Sequence, residues 1–499
     1  MTVVEREVRL AAPPATVLPP LSDPLAGVIA EPAGTQQLVA SYFDTDDLRL
    51  TRAGALLRHR DDEGWAVKLP VADGSGHLDR ATYSFPGDAA APPEAALDLV
   101  RALTRRAPVI AVARLRTTRR AVRLRTTAGE AIGEVVDDDV TVLGDRAPVR
   151  GFRELEFELA DGAPEAQVTA IVARLRAAGA GPADPTPKIV RALAPRAAEP
   201  PDVDPGTTPP VTAGDVVRAA LAQGVARLIA HDPGVRRGGD VEDVHQARVA
   251  TRRLRSHLRS FGPLLDAPTD DLRDELAWLG DVLGHVRDAD VLLERLEGRI
   301  ADLPGEDRAA ADRLLDRLRT QRCRGREQLL AALRSDRYGA LLDRLVDVAR
   351  VADMGAVPGD ESHATDQAAL RTVMRPAWES LRDAVAALGD APVDGALHEV
   401  RRHAKRARYA AEAVEPVLGK PARDFARAVT QVQTVLGDHQ DAVIAAQWLR
   451  DTATRGVDDR AAFAAGELAA AERATAQTTR AAFPAAWRDA SRKSRRRWL

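Results

Sequence analysis

The sequence predicts an α+β multidomain protein whose first part is rich in strands and whose second part is entirely helical. As far as residue 196, several short segments alternate between apolar and charged residues. This period of two residues is typical of strands. From Ala213 onward, apolar residues recur every three or four positions, as they do on amphipathic helices. Two segments of this helical part recur at an offset of 153 residues without a gap, which indicates a duplicated unit.

Prolines mark the boundary between the two parts. They are dense from Pro182 to Pro210, and we expect a stiff, extended linker over residues 197–211. The β-rich domain then spans residues 1–196 and the helical domain spans residues 212–490, with repeats at about 212–352 and 366–490. A basic tail at residues 491–499 follows, whose composition favours disorder, and it adds either non-specific affinity for polyanions or nothing.

Composition bounds the class of protein. Hydrophobic residues make up 45% of the 499 and charged residues 29%, which is typical of soluble globular domains. The net charge of −3 argues neither for nor against a polyanionic partner, because the two signs can be separated locally. The single cysteine, Cys323, excludes an intramolecular disulfide, and no apolar run is long enough to span a membrane. We therefore expect a cytoplasmic protein without a membrane partner.

Charged residues recur on one face of several predicted strands. Glu5, Glu7 and Arg9 alternate with other residues, and Arg58 and Arg60 share a strand face. A solvated face of an antiparallel sheet is the ordinary explanation of any single row. Rows of like carboxylates repel, however, and hard cations such as Mg²⁺ would relieve that repulsion by taking oxygen ligands. The later acidic rows contain Glu134 and Asp138, then Glu154, Glu156 and Glu158.

In their order and spacing these segments resemble the CYTH domain, whose members are triphosphate tunnel metalloenzymes. The family's Glu-x-Glu-x-Lys is matched by Glu5-x-Glu7-x-Arg9, and Tyr42 to Thr45 and Gly54 to Arg60 match its next two motifs. The resemblance covers about residues 1–195 and implies a closed, antiparallel, eight-stranded β-barrel around a charged tunnel. The implied ligands of Mg²⁺ or Mn²⁺ are Glu5, Glu7, Glu154 and Glu156, with Glu134 or Asp138 contributing. The implied triphosphate ligands are Arg58, Arg60, Lys68, one of Arg119 and Arg120, and Lys188.

Two positions depart from the family's pattern. Arg9 stands where the family has lysine, and Thr82 stands where related chains have a carboxylate. A guanidinium stays charged near neutral pH, whereas a buried lysine can shift its pKa and handle a proton. If the family's lysine assists catalysis, Arg9 is the residue that decides whether this tunnel hydrolyses its substrate or only binds it.

The duplicated segment of the helical part carries a row of cations beside an apolar stripe. It reads Val244 to Arg255 in the first copy and Leu397 to Arg408 in the second. An ordinary surface helix interleaves both signs, and pairing with acids of neighbouring helices is the plain alternative. Pairing alone does not require the same cations twice, so we favour a site for a polyanion. The cationic and histidine positions are His245, Arg248, Arg252, Arg253, Arg255 and Arg259, then His398, Arg401, Lys405, Arg406 and Arg408.

These repeats resemble the CHAD domain, an all-helical family named for its histidines. The motif His-x-x-Arg-x-x-x-Arg-Arg-x-Arg is followed by Leu-Gly-x-x-Arg-Asp-x-Asp at Leu283 to Asp290, and relatives of both motifs lie in the second repeat. The resemblance covers roughly residues 212–490. It implies two duplicated four-helix bundles that bind inorganic polyphosphate along a basic channel, through the cations named above.

Together the two resemblances predict metal-dependent hydrolysis of inorganic triphosphate by the first domain and polyphosphate binding by the second. A non-catalytic polyphosphate-binding scaffold with a degenerate tunnel is the main alternative. Adenylate cyclase and thiamine triphosphatase activities occur in CYTH proteins and stay open. Nucleic-acid binding is disfavoured, because aromatic residues for base stacking are only 4% of the chain. Polyphosphate granules are one place in the cytoplasm where such a protein would be held.

Overall fold

The structure is a computed structural model that describes residues 3–5, 7–13, 16–22, 27–70, 80–144, 151–184, 186–206, 208–265, 269–351, 362–455 and 457–499. The chain divides into two compact units, Met1–Asp202 and Val203–Leu499. The first unit therefore includes the beginning of the predicted linker. Asp202 forms ion pairs there with Arg52, at 2.9 Å, and with Arg105.

An antiparallel sheet dominates the first unit. Its strands, in the order in which they pair across the sheet, are β1, β6, β5, β4, β3, β7, β8, β9 and β2. Their bounds are β1 Val3–Glu5, β2 Glu7–Ala11, β3 Val28–Asp44, β4 Leu56–Arg60, β5 Gly64–Pro70, β6 Arg80–Phe85, β7 Ile110–Thr126, β8 Ala131–Leu143 and β9 Gly151–Leu159.

The first and last strands of that order are two parts of one chain segment. Only residue 6 separates β1, which pairs with β6, from β2, which pairs with β9. Counted as one interrupted strand, they give the eight strands that the sequence predicts, in a curled antiparallel sheet. Closure of this sheet into a barrel stays a prediction.

Helices pack against both faces of the sheet. The helices of this unit are α1 Arg49–Arg52, α2 Glu94–Thr104, α3 Glu165–Ala177 and α4 Lys188–Leu193. Leu155 and Phe157 of β9 are buried in one apolar cluster with Ile171 and Leu175 of α3. Because successive side chains of a strand alternate between faces, the even-numbered residues of β9 point away from α3.

The second unit is helical. Its longer helices are α5 Ala213–Arg237, α6 Val241–Phe261, α7 Asp270–Ile300, α8 Gly305–Arg334, α9 Asp336–Val351, α10 Ser362–Ala386, α11 Asp394–Leu418, α12 Lys420–Ala453 and α13 Asp459–Ala490. Several of these helices begin with a capping residue, whose side chain accepts a hydrogen bond from a free backbone N–H group of the first turn. Thr212 and Asp215 form a capping box at α5, and Asp240 and Asp458 cap α6 and α13.

Helix bounds in the two repeats coincide at the offset seen in the sequence. Helix α6 begins at Val241 and α11 at Asp394, and α7 ends at Ile300 and α12 at Ala453. The predicted four helices of each repeat correspond to α5–α8 and α10–α13. Helix α9 lies outside that count, and a separate four-helix bundle in each repeat stays a prediction.

The basic tail is structured, contrary to the disorder that its composition favours. A short helix, α14, spans Lys493–Arg496. The Trp498 ring lies 5.9 Å from the Phe425 ring, centroid to centroid, and Arg375 Nη2 donates to the Leu499 carbonyl at 3.0 Å. The prediction was wrong because one tryptophan at the end of a basic run finds an aromatic partner 73 residues away.

A buried carboxylate joins the two repeats. Glu472 of α13 is fully buried, and its oxygens contact Arg295 Nη2 at 2.5 Å and Arg299 Nε at 3.1 Å. Both arginines belong to α7 of the first repeat. Since an uncompensated charge is costly in a protein interior, this triad requires the two repeats to stay packed together.

Candidate functional site: a carboxylate cluster and a cationic pocket

Three buried carboxylates meet on the sheet face opposite α3. Asp138 of β8 pairs in register with Glu154 of β9, and Glu156 lies two residues further along the same face. Each of the three offers an oxygen, and these oxygens all lie within 4.8 Å of one another. Like charges this close repel in a buried site, so the cluster needs cations.

Lys188 and Arg119 each contact more than one carboxylate of this cluster. Lys188, the first residue of α4, places its Nζ 2.7 Å from Asp138 Oδ2, 2.9 Å from Glu154 Oε1 and 2.9 Å from Glu156 Oε2. Arg119 Nη2 lies 2.8 Å from Asp138 Oδ2 and 3.1 Å from Glu156 Oε2. Arg119 reaches the cluster because β7 pairs it directly with Asp138.

Arg9 is the third cation, and it bridges two carboxylates of predicted metal ligands. Its Nε donates to Glu156 Oε1 at 2.7 Å and its Nη2 donates to Glu7 Oε1 at 2.5 Å. The register of β2 on β9 opposes Arg9 to Glu156 and so fixes this contact. The buried Arg9 Nη1 makes no hydrogen bond within the described residues, which leaves its N–H groups unused.

The charges in the cluster shift one another's proton affinity. Burial alone would raise the pKa of Glu156, but Lys188 and Arg9 outweigh burial and lower it. Burial raises the pKa of Glu154, which Lys188 opposes and the charge of Glu156 reinforces. Burial alone would lower the pKa of Lys188, and the surrounding carboxylates, Glu156 foremost, raise it instead. Lys188 therefore keeps its proton, and Glu154 takes up a proton more readily than Glu156 does.

The cluster also fits a divalent metal, because hard cations take oxygen ligands from carboxylates. Asp138, Glu154 and Glu156 offer those oxygens, and the same atoms now contact Lys188. Glu134 lies apart from them and pairs with Arg123 at 3.3 Å. The side chain of Glu5 lies outside the described residues.

The predicted triphosphate ligands divide between the two faces of the sheet. The registers of β4 on β3 and β3 on β7 carry Arg58 and Arg60 to the face that bears Arg119, and Lys68 shares it. Arg58 contacts Glu63 at 3.0 Å and Arg60 contacts Asp62 at 2.6 Å. On the opposite face, Arg120 contacts Asp137 at 3.3 Å.

A second site lies in the helical unit, in a cavity of about 530 Å³ between the two repeats. Nine arginines and lysines line it, against two aspartates, Asp274 and Asp281. Of the predicted polyphosphate ligands, the lining contains Arg248, Arg252, Arg255, Arg259, His398, Arg401, Lys405 and Arg406. We call this cavity the cationic pocket.

The repeated glycines explain how two of these arginines are placed. Arg248 lies over Gly284, and Arg401 lies over Gly437, where a Cβ would come within 3.5 Å of the guanidinium. Arg248 Nη1 also contacts Asp288 at 2.5 Å, and Arg401 Nη2 lies 4.0 Å from Asp441. The Leu-Gly motif therefore leaves room for a guanidinium against the neighbouring helix, once in each repeat.

Three predicted ligands are absent from the lining of the cationic pocket. Arg253 and Arg408 each lie 4.9 Å from the centroid of the Tyr409 ring, and both contact Glu412, at 2.7 Å and 3.3 Å. They support the wall of the pocket, whose lining includes Tyr409. His245 is the third. Tyr409 was missed in the sequence, although it is an aromatic residue where the first repeat has Ser256.

Burial and neighbouring like charges lower the pKa of Lys405, Arg406 and His398 in the cationic pocket. Burial and the charges of Arg401, Arg252 and Arg248 lower the pKa of Lys405 to about 7. Burial, with Arg259 adding to it, lowers the pKa of Arg406 to about 10. Burial and neighbouring arginines likewise lower the pKa of His398. An anion in the pocket would reverse these shifts, because it favours the charged forms.

Both units match known domain families. The CYTH domain family matches residues 2–184, and the CHAD domain family matches residues 219–450. The uncharacterized protein Rv2226 of Mycobacterium tuberculosis is 38% identical over 459 residues, which cover 87% of this chain and 86% of the relative. The two matches define a two-domain architecture, and the chain belongs to the family of proteins that join a CYTH domain to a CHAD domain.

Two solved structures are similar to part of the chain. PptA from Streptomyces chartreusis is 28% identical, with a TM-score of 0.44, over 56% of this chain and 99% of that one. The CHAD domain from the plant Ricinus communis is 26% identical, with a TM-score of 0.46, over 58% of this chain and 95% of that one. None of the helices in the described residues combines the length and apolarity needed to cross a membrane.

Proposed function

We propose that the first unit hydrolyses inorganic triphosphate with Mg²⁺ or Mn²⁺ and that the helical unit binds inorganic polyphosphate. The observation that carries the proposal is the buried cluster of Asp138, Glu154 and Glu156 on the same sheet face as Arg58 and Arg60. Carboxylates for a metal and cations for phosphate oxygens are the two requirements of phosphoryl transfer, and this face offers both.

Closure of the sheet belongs to the same proposal. The two parts of the N-terminal strand pair with opposite ends of the strand order, which supports a barrel in which the charged face lines the interior. Interior side chains of a small barrel are shielded from bulk water, so their charges act on a bound substrate at low dielectric. A triphosphate inside would meet acids and bases from most of the strands.

The chain's own residues then have separate tasks. A divalent metal, when bound to the carboxylates, supplies charge neutralisation and an activated water. Arg58, Arg60 and Lys68 neutralise the phosphate oxygens. Arg9 holds Glu7 and Glu156 in place through its Nε and Nη2, and its unused Nη1 is a donor for a substrate oxygen.

Charge carries the proposal for the helical unit. Nine cations against two aspartates give the cationic pocket an excess of seven positive charges, before histidine is counted. Arginine forks suit phosphate oxygens, and a chain of phosphates neutralises several cations at once. Binding of this kind releases counterions, so its affinity falls as the salt concentration rises.

A panel of substrates tests the proposal. Release of phosphate is measured from inorganic triphosphate, thiamine triphosphate, ATP and long polyphosphate, with Mg²⁺ and with Mn²⁺. Glu156→Gln should abolish release, because the amide keeps the size of the side chain but loses the charge that a hard cation needs. Glu158→Gln is the matched control, since Glu158 follows on the same strand face but is half exposed.

The outcomes separate the candidate functions. Hydrolysis of triphosphate that Glu156→Gln abolishes and Glu158→Gln spares supports the proposal. Preference for thiamine triphosphate, or formation of a cyclic nucleotide and pyrophosphate from ATP, replaces it with the corresponding CYTH activity. Binding of triphosphate without turnover favours the non-catalytic scaffold, which the internal neutralisation of the cluster by Lys188, Arg119 and Arg9 also favours.

A further inference from the structure

The cationic pocket is asymmetric, although two equivalent repeats build it. Helices α6 and α11 occupy equivalent places in the two repeats, and both line the cavity. Helix α7 lines it as well, through residues from Arg273 to Asp281. Among the described residues, none of α12, the counterpart of α7, takes part in the lining. The cavity therefore lies to one side of the pair formed by α6 and α11.

One pair of equivalent contacts shows how the two sides differ. The offset of 153 residues relates Arg253 to Arg406, and it relates Glu412 to Arg259. On one side, Arg253 Nη2 lies 2.7 Å from Glu412 Oε2, and both residues are outside the lining. On the other side, Arg259 and Arg406 both line the cavity, and Arg259 is the charge that acts most strongly on Arg406. The duplication has produced an ion pair on one side and a pair of like charges on the other.

The side that carries the ion pair is filled by side chains. Arg253 and Arg408 each lie 4.9 Å from the centroid of the Tyr409 ring, and both contact Glu412. Tyr409 is itself buried and lines the cavity, so it forms the wall there. We call this the closed side of the pocket, and the side of Arg259 and Arg406 the open side.

The open side lacks the compensation that the closed side has. Within the described residues, Arg255, Arg259 and Arg406 line the cavity without forming an ion pair. Like charges held together without a counter-charge raise the free energy of the empty pocket, whereas the ion pair on the closed side is already compensated. A bound anion therefore has a charge to neutralise on the open side and none on the closed side.

We propose that the cationic pocket holds one end of a linear polyphosphate chain. The chain leaves the cavity past Arg259 and Arg406, and its terminal phosphate lies between Arg252 and Lys405, against the wall that Tyr409 forms. Arg252 and Lys405 are equivalent in the two repeats, and Arg252 lies beside the Tyr409 hydroxyl. A terminal phosphate has a second ionisable oxygen, so it brings more negative charge to these cations than an internal unit does.

This inference rests on the proposed function, because it requires that polyphosphate bind in this pocket. It adds that the pocket distinguishes the end of a chain from its interior. A channel that accepted an internal segment would need uncompensated cations on both sides of α6 and α11, and the ion pair of Arg253 with Glu412 removes them from one side.

The number of protein molecules bound to each chain tests end capture on the wild-type protein. Analytical ultracentrifugation measures this number for linear polyphosphates of several narrow length ranges, with EDTA present to prevent metal-dependent hydrolysis. A linear chain has two ends, so we expect no more than two bound molecules at every length. A variant with Arg58→Gln and Arg60→Gln shows whether the first unit contributes to the count. A number that grows in proportion to chain length would overturn the proposal.

Blocking the ends of the chain gives an independent test. Conversion of both terminal phosphates to phosphoramidates of methylamine removes their second ionisable oxygen and leaves the interior of the chain unchanged. We expect the affinity of chains of equal length to fall at least about tenfold, or about 1.4 kcal/mol. An unchanged affinity would show that the interior of the chain is what binds.

Two arginines at equivalent positions separate the open side from the closed side. Arg406→Gln and Arg253→Gln each remove one positive charge, so they change the net charge equally. We expect Arg406→Gln to weaken binding about tenfold and Arg253→Gln to weaken it much less. Circular dichroism checks that both variants fold. Equal weakening would mean that the chain contacts both sides, which contradicts end capture.

The two proposals fail differently. If polyphosphate binding is unaffected by Arg252→Gln combined with Lys405→Gln, the pocket is not the polyphosphate site and the proposed function of the helical unit is wrong. If those substitutions abolish binding but end-blocked chains bind as well as free ones, the proposed function stands and only end capture is wrong.

Discussion

The ammonium of Lys188 lies 2.7 Å from the Asp138 carboxylate, at the centre of the three side chains best placed to hold a metal. The sequence assigns Lys188 to the triphosphate, and the structure places it on the carboxylates. An ammonium and a divalent cation cannot share these oxygens, so we expect them to compete.

Replacement of Lys188 should therefore strengthen metal binding. Lys188→Gln removes the competing ammonium and leaves the cluster more negative, so the affinity for Mn²⁺ should rise about tenfold, or about 1.4 kcal/mol. Calorimetric titration of Mn²⁺ measures this without any turnover, and Lys420→Gln is the control for lost charge elsewhere. An unchanged or weaker Mn²⁺ affinity in a folded Lys188→Gln protein would show that metal and ammonium do not exclude each other.

Arg9 is expected to slow turnover while leaving binding intact. It holds both Glu156 and Glu7, and a lysine could reach only part of this pairing. Arg9→Lys restores the family's residue, and small errors of position near a reacting group can cost about a hundredfold in rate. We expect turnover of triphosphate to rise and its affinity to change little. A fall in turnover would mean that this site has adapted to arginine.

Two arginines of α11 offer a matched pair for the cationic pocket. Arg401 lines the cavity, whereas Arg408 contacts Glu412 and the Tyr409 ring. Arg401→Gln should weaken polyphosphate binding and reduce the salt dependence of log K by about one, since one phosphate contact is lost. Arg408→Gln removes the same charge from outside the lining and should change the salt dependence less. Equal effects of the two variants would mean that net charge, not the pocket, determines binding.

Polyphosphate affinity should depend on pH near neutrality through Lys405. Its pKa of about 7 in the folded protein means that it is charged below pH 7 and increasingly neutral above it. A polyanion prefers the charged form, so its affinity should fall about tenfold between pH 6 and pH 8. Lys405→Arg keeps the charge and should flatten this profile. The pKa of His398 is lowered from its usual value of 6.5, so His398 loses its charge at a lower pH than Lys405 does.

The same shift has a consequence for stability, with the opposite sign. The unfolded chain keeps its proton on Lys405 up to about pH 10.4, whereas the folded protein without ligand gives it up near pH 7. The unfolded state therefore binds more protons between these values, and stability should rise with pH across this window. Chemical denaturation of wild type and Lys405→Met at pH 7 and pH 9 measures the difference, which should be absent if Lys405 keeps an ordinary pKa.

Periodicity in the sequence was enough to predict which strand faces carry charge. Strand side chains alternate with a period of two, so Glu154 and Glu156 had to share a face, and the helical repeat had to place Arg248 and Arg401 alike. The register between two strands cannot be predicted from the sequence of either strand alone. The sequence left Arg119 and Arg120 as alternatives, and only the register that opposes Arg119 to Asp138 separates them.

Contacts between distant segments account for what the sequence did not predict. Lys188 reaches the carboxylates because α4 begins beside them, 32 residues after Glu156. Arg253 of α6 and Arg408 of α11 belong to the predicted cationic rows, but both pair with Glu412 of α11 and lie outside the pocket lining. A row of charges on a helix therefore predicts which residues lie near a site. Ion pairs with neighbouring acids determine which of those residues line it.

The contacts of Glu472 make the two repeats depend on each other. Its carboxylate is buried against Arg295 and Arg299 of the other repeat, so a half expressed alone would leave either an acid or two bases without their counter-charges. The offset of 153 residues relates Glu472 to Arg319, and it relates Arg295 and Arg299 to Trp448 and Thr452. The duplication therefore does not repeat this buried pairing, and each half supplies a different part of it.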